Sequence, residues 1–183
     1  PQSEALLSAY LGNGSQYGVS IGYSGEKRPL GTAGPLAIVP GLTDTFLVMN
    51  GDILTTLDYQ KLIRYHLRQE AVVTIAMNRK EVQLELGVME FDGEHRLTRY
   101  LEKPRFAYAV SMGIYVFQKT VLKWISPGRH LDFPGLMQRL IRAGQKVACY
   151  PSDDFWLDIG THEDYEEAQK RFPGMRRRLL YEK

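Results

Sequence analysis

The sequence predicts an α/β fold, and three observations carry that expectation. Strand-like and helix-like segments alternate with short turns between them, as in a sheet layered with helices. The run Thr45–Asn50 (TFLVMN) is almost wholly apolar, as expected of a strand covered on both faces. A second such run, Ala71–Met77 (AVVTIAM), reads as another central strand. A chain of 183 residues, 44% hydrophobic and 24% charged, is long enough for one domain with a substantial core.

The elements follow in order. Glu4–Leu11 carries a short helical pattern, and GNGSQYG after it is rich in turn residues. Val19–Ser24 (VSIGYS) reads as a strand, and residues 32–39 as a short helix after a glycine turn, stopped by Pro40-Gly41. Asp58–Gln69 is amphipathic, with Leu62, Ile63, Tyr65 and His66 near one face and Asp58 placed to cap it. Gly87–Phe91 and Arg96–Leu101 flank Asp92-Gly93, a hairpin signal. Tyr108–Phe117 is strand-like, and helices are expected over Lys119–Ile125 and Phe133–Ala143, the second closed by Gly144. VACY is a further strand. Thr161–Arg171 is a last helix, with Thr161 as its cap and Pro173-Gly174 as its end.

A formal net charge of +2 points to no particular partner. Arg176-Arg177-Arg178, followed by Leu179, Leu180 and Tyr181, reads as a solvated basic terminus, with an anionic contact as the alternative. Basic and aromatic residues do not interleave, so nucleic-acid binding is not expected. Cys149 is the one cysteine, which excludes an internal disulfide; its apolar surroundings suggest a buried strand residue. No apolar run reaches membrane-spanning length and no signal peptide opens the sequence, so a cytoplasmic location is expected. The four histidines are too scattered to form a metal-ligand set.

Four segments could carry chemistry. Leu30-Gly31-Thr32-Ala33-Gly34 is a glycine-spaced turn that could let the backbone approach a flat base, or could simply start a helix. Asp52 follows a buried strand and a glycine; it could hold a hard divalent cation or cap the next element. Asp158, in FWLDIGTHEDY, stands at another strand end with the same two readings, and two such aspartates would suit one magnesium ion if they converge. Glu102 and Lys103 end a strand before Pro104. They could meet a sugar hydroxyl and a phosphate, or form a solvated ion pair. Gly87 and Gly113, within strand-like runs, mark bulges or close approaches.

In this order, LGTAGPL (30–36), FLVMNGD (46–52), LGVMEFD (86–92), LTRYLEKP (97–104), MGIYVF (112–117) and FWLDIGTHEDY (155–165) resemble the sugar-phosphate nucleotidyltransferases. The details are most similar to the mannose-1-phosphate guanylyltransferase branch. The resemblance implies a Rossmann-like, three-layer nucleotidyltransferase fold with a mixed, mainly parallel sheet. It also implies the reaction of an NTP with a sugar 1-phosphate to give an NDP-sugar and pyrophosphate, with Mg2+. By the same resemblance, Asp52 and Asp158 would bind the metal, and Leu30, Gly31, Thr32 and Gly34, with Asp52, would line the nucleotide site. Gly87, Glu102 and Gly113 would contact the sugar, and Lys103 its phosphate, making Asp52, Lys103 and Asp158 the catalytic set.

Two departures from the family pattern qualify this. The glycine-rich loop with its Arg, and the Pro-Lys-Pro segment after it, have no counterpart here. An N-terminally truncated domain over residues 1–172, the C-terminal two thirds of the usual one, is therefore expected, followed by a basic tail over 173–183. Ser111 also stands where the family has Asn. Two functions are compatible with this pattern: a nucleotidyltransferase impaired by the missing loop, or an inactive sugar-phosphate- or nucleotide-binding or regulatory remnant. A homodimer covering the exposed sheet is the expected assembly.

Overall fold

In a computed structural model, residues 2–180 are described, with side chains from residue 5 onward. The chain divides into two compact units. One comprises the residues up to Phe46 together with Gln118–Lys146; the other comprises Leu47–Phe117 together with the residues from Val147 onward.

The second unit is organised by the apolar runs that the sequence marks as strands. β1 (Thr45–Met49), β2 (Ile53–Thr55), β3 (Val73–Gln83), β4 (Val88–Phe91) and β5 (Leu97–Leu101) are joined by β6 (Arg105–Gln118), β7 (Val147–Pro151) and β8 (Trp156–Asp158). The main sheet has the order β1-β6-β3-β7 and is mixed: β6 runs antiparallel to β3, and β7 parallel to it. Two antiparallel ribbons complete the unit, β2 with β8 and β4 with β5. β3 runs well beyond the apolar stretch because its polar half, Met77–Gln83, pairs residue by residue with Arg105–Ser111.

Before β3 lies α1, the first helix of this unit (Tyr59–Gln69). Asp58 caps it by accepting the backbone N–H of Lys61 at 3.0 Å. That bond holds the Asp58 carboxyl below its ordinary pKa. Leu62 and His66 are the buried face of α1. Leu57, Leu62, Ala76, Met112, Ile114 and Val116 form a core cluster, with Ile53, Tyr150 and Trp156 packed against it. His66 is fully buried, its Nδ1 2.8 Å from the Thr74 hydroxyl, and burial pushes its pKa down.

In the first unit the N-terminal helix, α0 (Gln2–Leu11), is followed by two short 3-10 turns, Ser15–Tyr17 and Gly34–Ala37. Lys119–Trp124 is also a 3-10 segment, where the sequence suggests an ordinary helix. α2 (Phe133–Arg142) buries Phe133, Leu136 and Leu140, and Gly144 turns the chain away at φ 68°.

Three expectations are corrected. Val19–Ser24 is not a strand: the backbone N–H groups of Val19 and Ile21 bond to the carbonyls of Gly14 and Asn13 nearby. The last helix, α3 (His162–Leu179), does not stop at Pro173-Gly174 but carries Pro173 inside it. Met175, Arg176–Arg178 and Leu179 are good helix formers, and three cations in the final turn suit its negative dipole end. Cys149 is exposed. It lies on β7, an edge strand on which neighbouring Ala148 takes the buried position, so alternation turns the thiol outward.

Candidate functional site

The ribbon β2–β8 decides where the two aspartates go. Ile53 pairs with Asp158, and one step further the N–H of Ile159 donates to the carbonyl of Asp52 at 2.8 Å. The aspartates therefore occupy adjacent steps of one antiparallel ladder, though they are 106 positions apart in the chain. Both are exposed. Among the described residues, neither carboxylate has a side-chain hydrogen bond or ion pair. Capping, the alternative role for each, is taken by other residues: Asp58 caps α1 and Thr161 caps α3.

The pairing brings the two backbones together, while successive ladder steps face opposite sides. Each exposed carboxylate is free to meet a hard divalent cation that completes its shell with water and phosphate oxygens. No group of three or more His, Cys, Asp or Glu side chains among the described residues could enclose an ion unaided. Gly160 gives the second aspartate room: a Cβ there would lie 3.1 Å from Asp158 Oδ1.

Gly113 joins this neighbourhood through Asn50. Its carbonyl accepts the Asn50 N–H at 3.0 Å, and it adopts φ 70° at a point where the β3–β6 register shifts. An added Cβ would meet Asn50 Nδ2 and Ile53 Cδ1, each at 2.8 Å. The left-handed conformation favours glycine beside the Asn50-Gly51-Asp52 turn, while the contacted atoms are side-chain tips that can shift. Ser111 Oγ accepts the Gly113 N–H at 3.2 Å and lies 3.2 Å from the Tyr115 hydroxyl, so its hydroxyl supports the bend. Trp156 Nε1 donates to the Met112 carbonyl at 2.9 Å, tying β8 to the same stretch of β6. The sequence offered no role for Asn50 beyond membership of the motif; its contact with Gly113 appears only in the fold.

Gly87, Glu102 and Lys103 gather at the β4–β5 ribbon instead. Val88 pairs with Leu101, so Gly87 and Glu102 stand at the next step. A Cβ on Gly87 would fall against the Tyr100 hydroxyl, which itself donates to Glu102 at 3.3 Å. Lys103 is in the left-handed region at φ 44°, uncommon for a residue with a Cβ. Its Nζ lies 3.3 Å from Glu85 Oε2 in an exposed pair.

In the first unit, the turn Leu30–Gly34 is fastened to the start of α2. Thr32 N–H donates to Asp132 Oδ1 at 3.0 Å, while Thr32 Oγ1 accepts the Phe133 N–H at 2.9 Å. The N–H groups of Ala33 and Gly34 both donate to the Leu131 carbonyl at 2.9 Å. A Cβ on Gly31 would meet Asp132 Oδ1 at 2.6 Å and the Leu131 carbonyl oxygen at 2.7 Å; one on Gly34 would meet the Arg129 carbonyl oxygen at 2.8 Å. Close approach to the chain's own backbone therefore explains both glycines.

Residues 1–173 match the family model described as Nucleotidyl transferase, and the chain belongs to that family. Its curated relatives include the mannose-1-phosphate guanylyltransferase of Mycobacterium tuberculosis, 34% identical over 170 residues, which span 88% of this chain and 46% of the relative. A UTP–glucose-1-phosphate uridylyltransferase of Synechocystis is 31% identical over 182 residues, 88% of this chain and 47% of the relative. The chain thus spans about half the length of these relatives. Among solved structures, HddC from Yersinia pseudotuberculosis complexed with GMP-PN superposes with a TM-score of 0.64 at 20% identity, over 92% of this chain and 74% of that one. That likeness shows the fold, which is the Rossmann-like fold of nucleotidyltransferases. No helix among the described residues is long and apolar enough to cross a membrane.

Proposed function

We propose that this chain carries the metal- and sugar-phosphate-binding part of a sugar-1-phosphate nucleotidyltransferase. The observation that carries the reading is the β2–β8 pairing, which brings the backbones of Asp52 and Asp158 together at one end of the ribbon, both carboxylates exposed and uncommitted. Membership of the nucleotidyl transferase family supports the same reaction class.

In this reading a phosphate oxygen of the sugar 1-phosphate attacks the α-phosphorus of the NTP. The new O–Pα bond forms as the bond from Pα to the β-phosphate bridge breaks, and pyrophosphate departs with the electron pair. The attacking oxygen is already anionic, so no protein base is needed, and the task is positioning and charge neutralisation. A Mg2+ held by Asp52 and Asp158 would supply charge neutralisation at the phosphates. Asn50 and Gly113 hold the Asp52 turn in place through their backbone bond. Glu102, beside Gly87 and Tyr100, offers an acceptor for sugar hydroxyls; Lys103 offers a cation once it exchanges Glu85 for a phosphate. An exposed pair of that kind is worth about 0–1 kcal/mol, so the exchange is inexpensive. Leu30, Gly31, Thr32 and Gly34 are assigned to the nucleotide by resemblance.

The experiment is pyrophosphate release by this chain, with a panel of NTPs and sugar 1-phosphates and Mg2+. Turnover that vanishes in Asp158→Asn is the expected result. Saturable binding of a sugar phosphate without turnover would replace the enzyme reading by a binding one. Neither turnover nor binding would refute both.

A further inference from the structure

Beside the middle of β3, a cavity of about 260 Å³ is lined by Asn78, Arg79, Lys80, Trp156, Leu157, Asp158 and Asp164. Strand alternation puts Lys80 on the face of Ala76 and Asn78, the face that packs toward Trp156. Arg79, on the other face, also lines a neighbouring cavity with Ser152 and Asp153. Asn78 anchors this part of the strand by donating to the carbonyls of Ser152 at 2.9 Å and Asp154 at 3.4 Å.

The charges around the cavity are unevenly committed. Asp164 is held by Thr161, whose hydroxyl lies 2.6 Å from Asp164 Oδ2. Asp158 has no partner, and neither has Lys80 among the described residues. The two line one cavity without forming an ion pair. Lys103, the lysine that the family resemblance assigns to phosphate, is by contrast engaged with Glu85 at the β4–β5 ribbon.

We propose that Lys80 is a phosphate-binding residue, its ammonium meeting a phosphoryl oxygen of the ligand bound beside Asp158. A carboxylate and a separate ammonium facing one space complement a ligand that offers one anionic oxygen to a cation at the carboxylate and another to the lysine. A lysine ammonium acts as such a point charge. The phosphate could come from the sugar 1-phosphate or the nucleotide; the assignment of either rests on the function proposed above.

The test is calorimetric titration of the parent chain, Lys80→Gln and Lys80→Arg with mannose 1-phosphate, GTP and inorganic pyrophosphate, each with Mg2+. Lys80→Gln should weaken a phosphate ligand about tenfold or more, and Lys80→Arg should restore most of the affinity. Affinity in the glutamine variant should also depend less on salt. Whichever of mannose 1-phosphate and GTP loses more identifies the phosphate that Lys80 meets. Equal binding of every phosphate ligand by parent and Lys80→Gln would overturn the assignment and leave the proposed reaction standing. Lys80-dependent pyrophosphate binding, in a chain that binds neither sugar phosphate nor nucleotide, would uphold the cation site and overturn the reaction. A parent that binds none of the three overturns both. Lys80 is exposed, so the variants should keep the parent's melting temperature.

Discussion

Ile159 donates its backbone N–H to the carbonyl of Asp52 at 2.8 Å, and this bond closes the ladder that makes Asp158 a neighbour of Asp52. The backbones of the two aspartates are brought together by main-chain pairing rather than by contacts of their side chains. Their side chains are left uncommitted, and the ladder does not need them.

That separation makes the metal assignment testable without unfolding the protein. Asp52→Asn and Asp158→Asn should each abolish the Mg2+-dependent part of ligand binding. Both positions are exposed, so stability should stay within about 0.5 kcal/mol of the parent. Titration with and without Mg2+, beside a thermal melt, checks both halves. Unchanged Mg2+ dependence in both variants would refute the paired-carboxylate site.

Gly113→Ala should be costly. Its φ of 70° penalises any Cβ, and that atom would fall 2.8 Å from Asn50 Nδ2 and Ile53 Cδ1. The left-handed conformation costs about 1–2 kcal/mol, while the Asn50 and Ile53 tips can shift aside, and the loss is measurable by urea unfolding. Because Asn50 leads into Asp52, Mg2+-dependent binding should weaken as well. A variant as stable as the parent would contradict the described bend.

Gly31→Ala separates two roles for the glycine turn. Its φ of 76° and its approach to Leu131 and Asp132 predict a loss of about 2–5 kcal/mol, whatever the turn does for a nucleotide. Thr32→Val removes the hydroxyl that accepts the Phe133 N–H and should destabilise the start of α2 by about 1 kcal/mol. Nucleotide affinity of the folded fraction of each variant, compared with its unfolding midpoint, distinguishes a ligand contact from scaffolding.

His66 makes stability depend on pH. Burial lowers its folded pKa below the ordinary 6.5, so the unfolded chain takes up the proton first as pH falls. The stabilisation is complete above 6.5 and declines as pH drops below it toward the folded pKa. Urea midpoints on either side of 6.5 should fall more steeply in the parent than in a His66→Leu, Thr74→Val double variant. The exposed His95, His130 and His162 remain in both proteins and cancel. Equal slopes would show that His66 does not titrate differently on folding.

By itself, the sequence determined what local pattern can determine. The apolar runs at Thr45–Met49 and Val73–Met77 became strands, Asp58 and Thr161 became caps, and Asp92-Gly93 marked a hairpin turn. Each of these depends on burial or on bonds a few residues away. The same local pattern misread Val19–Ser24 and Cys149, because a strand needs a neighbour to bond and burial depends on which strand lies at the edge. Only the tertiary structure decided that Asp52 and Asp158 are neighbours, that Gly113 bears on Asn50, and that Gly31 is held against Asp132. It also decided that Lys80 shares a cavity with Asp158. The physical reason is common to all four. Strand pairing and turn docking join segments far apart in the chain, and such contacts leave no periodic signature in the residues that make them.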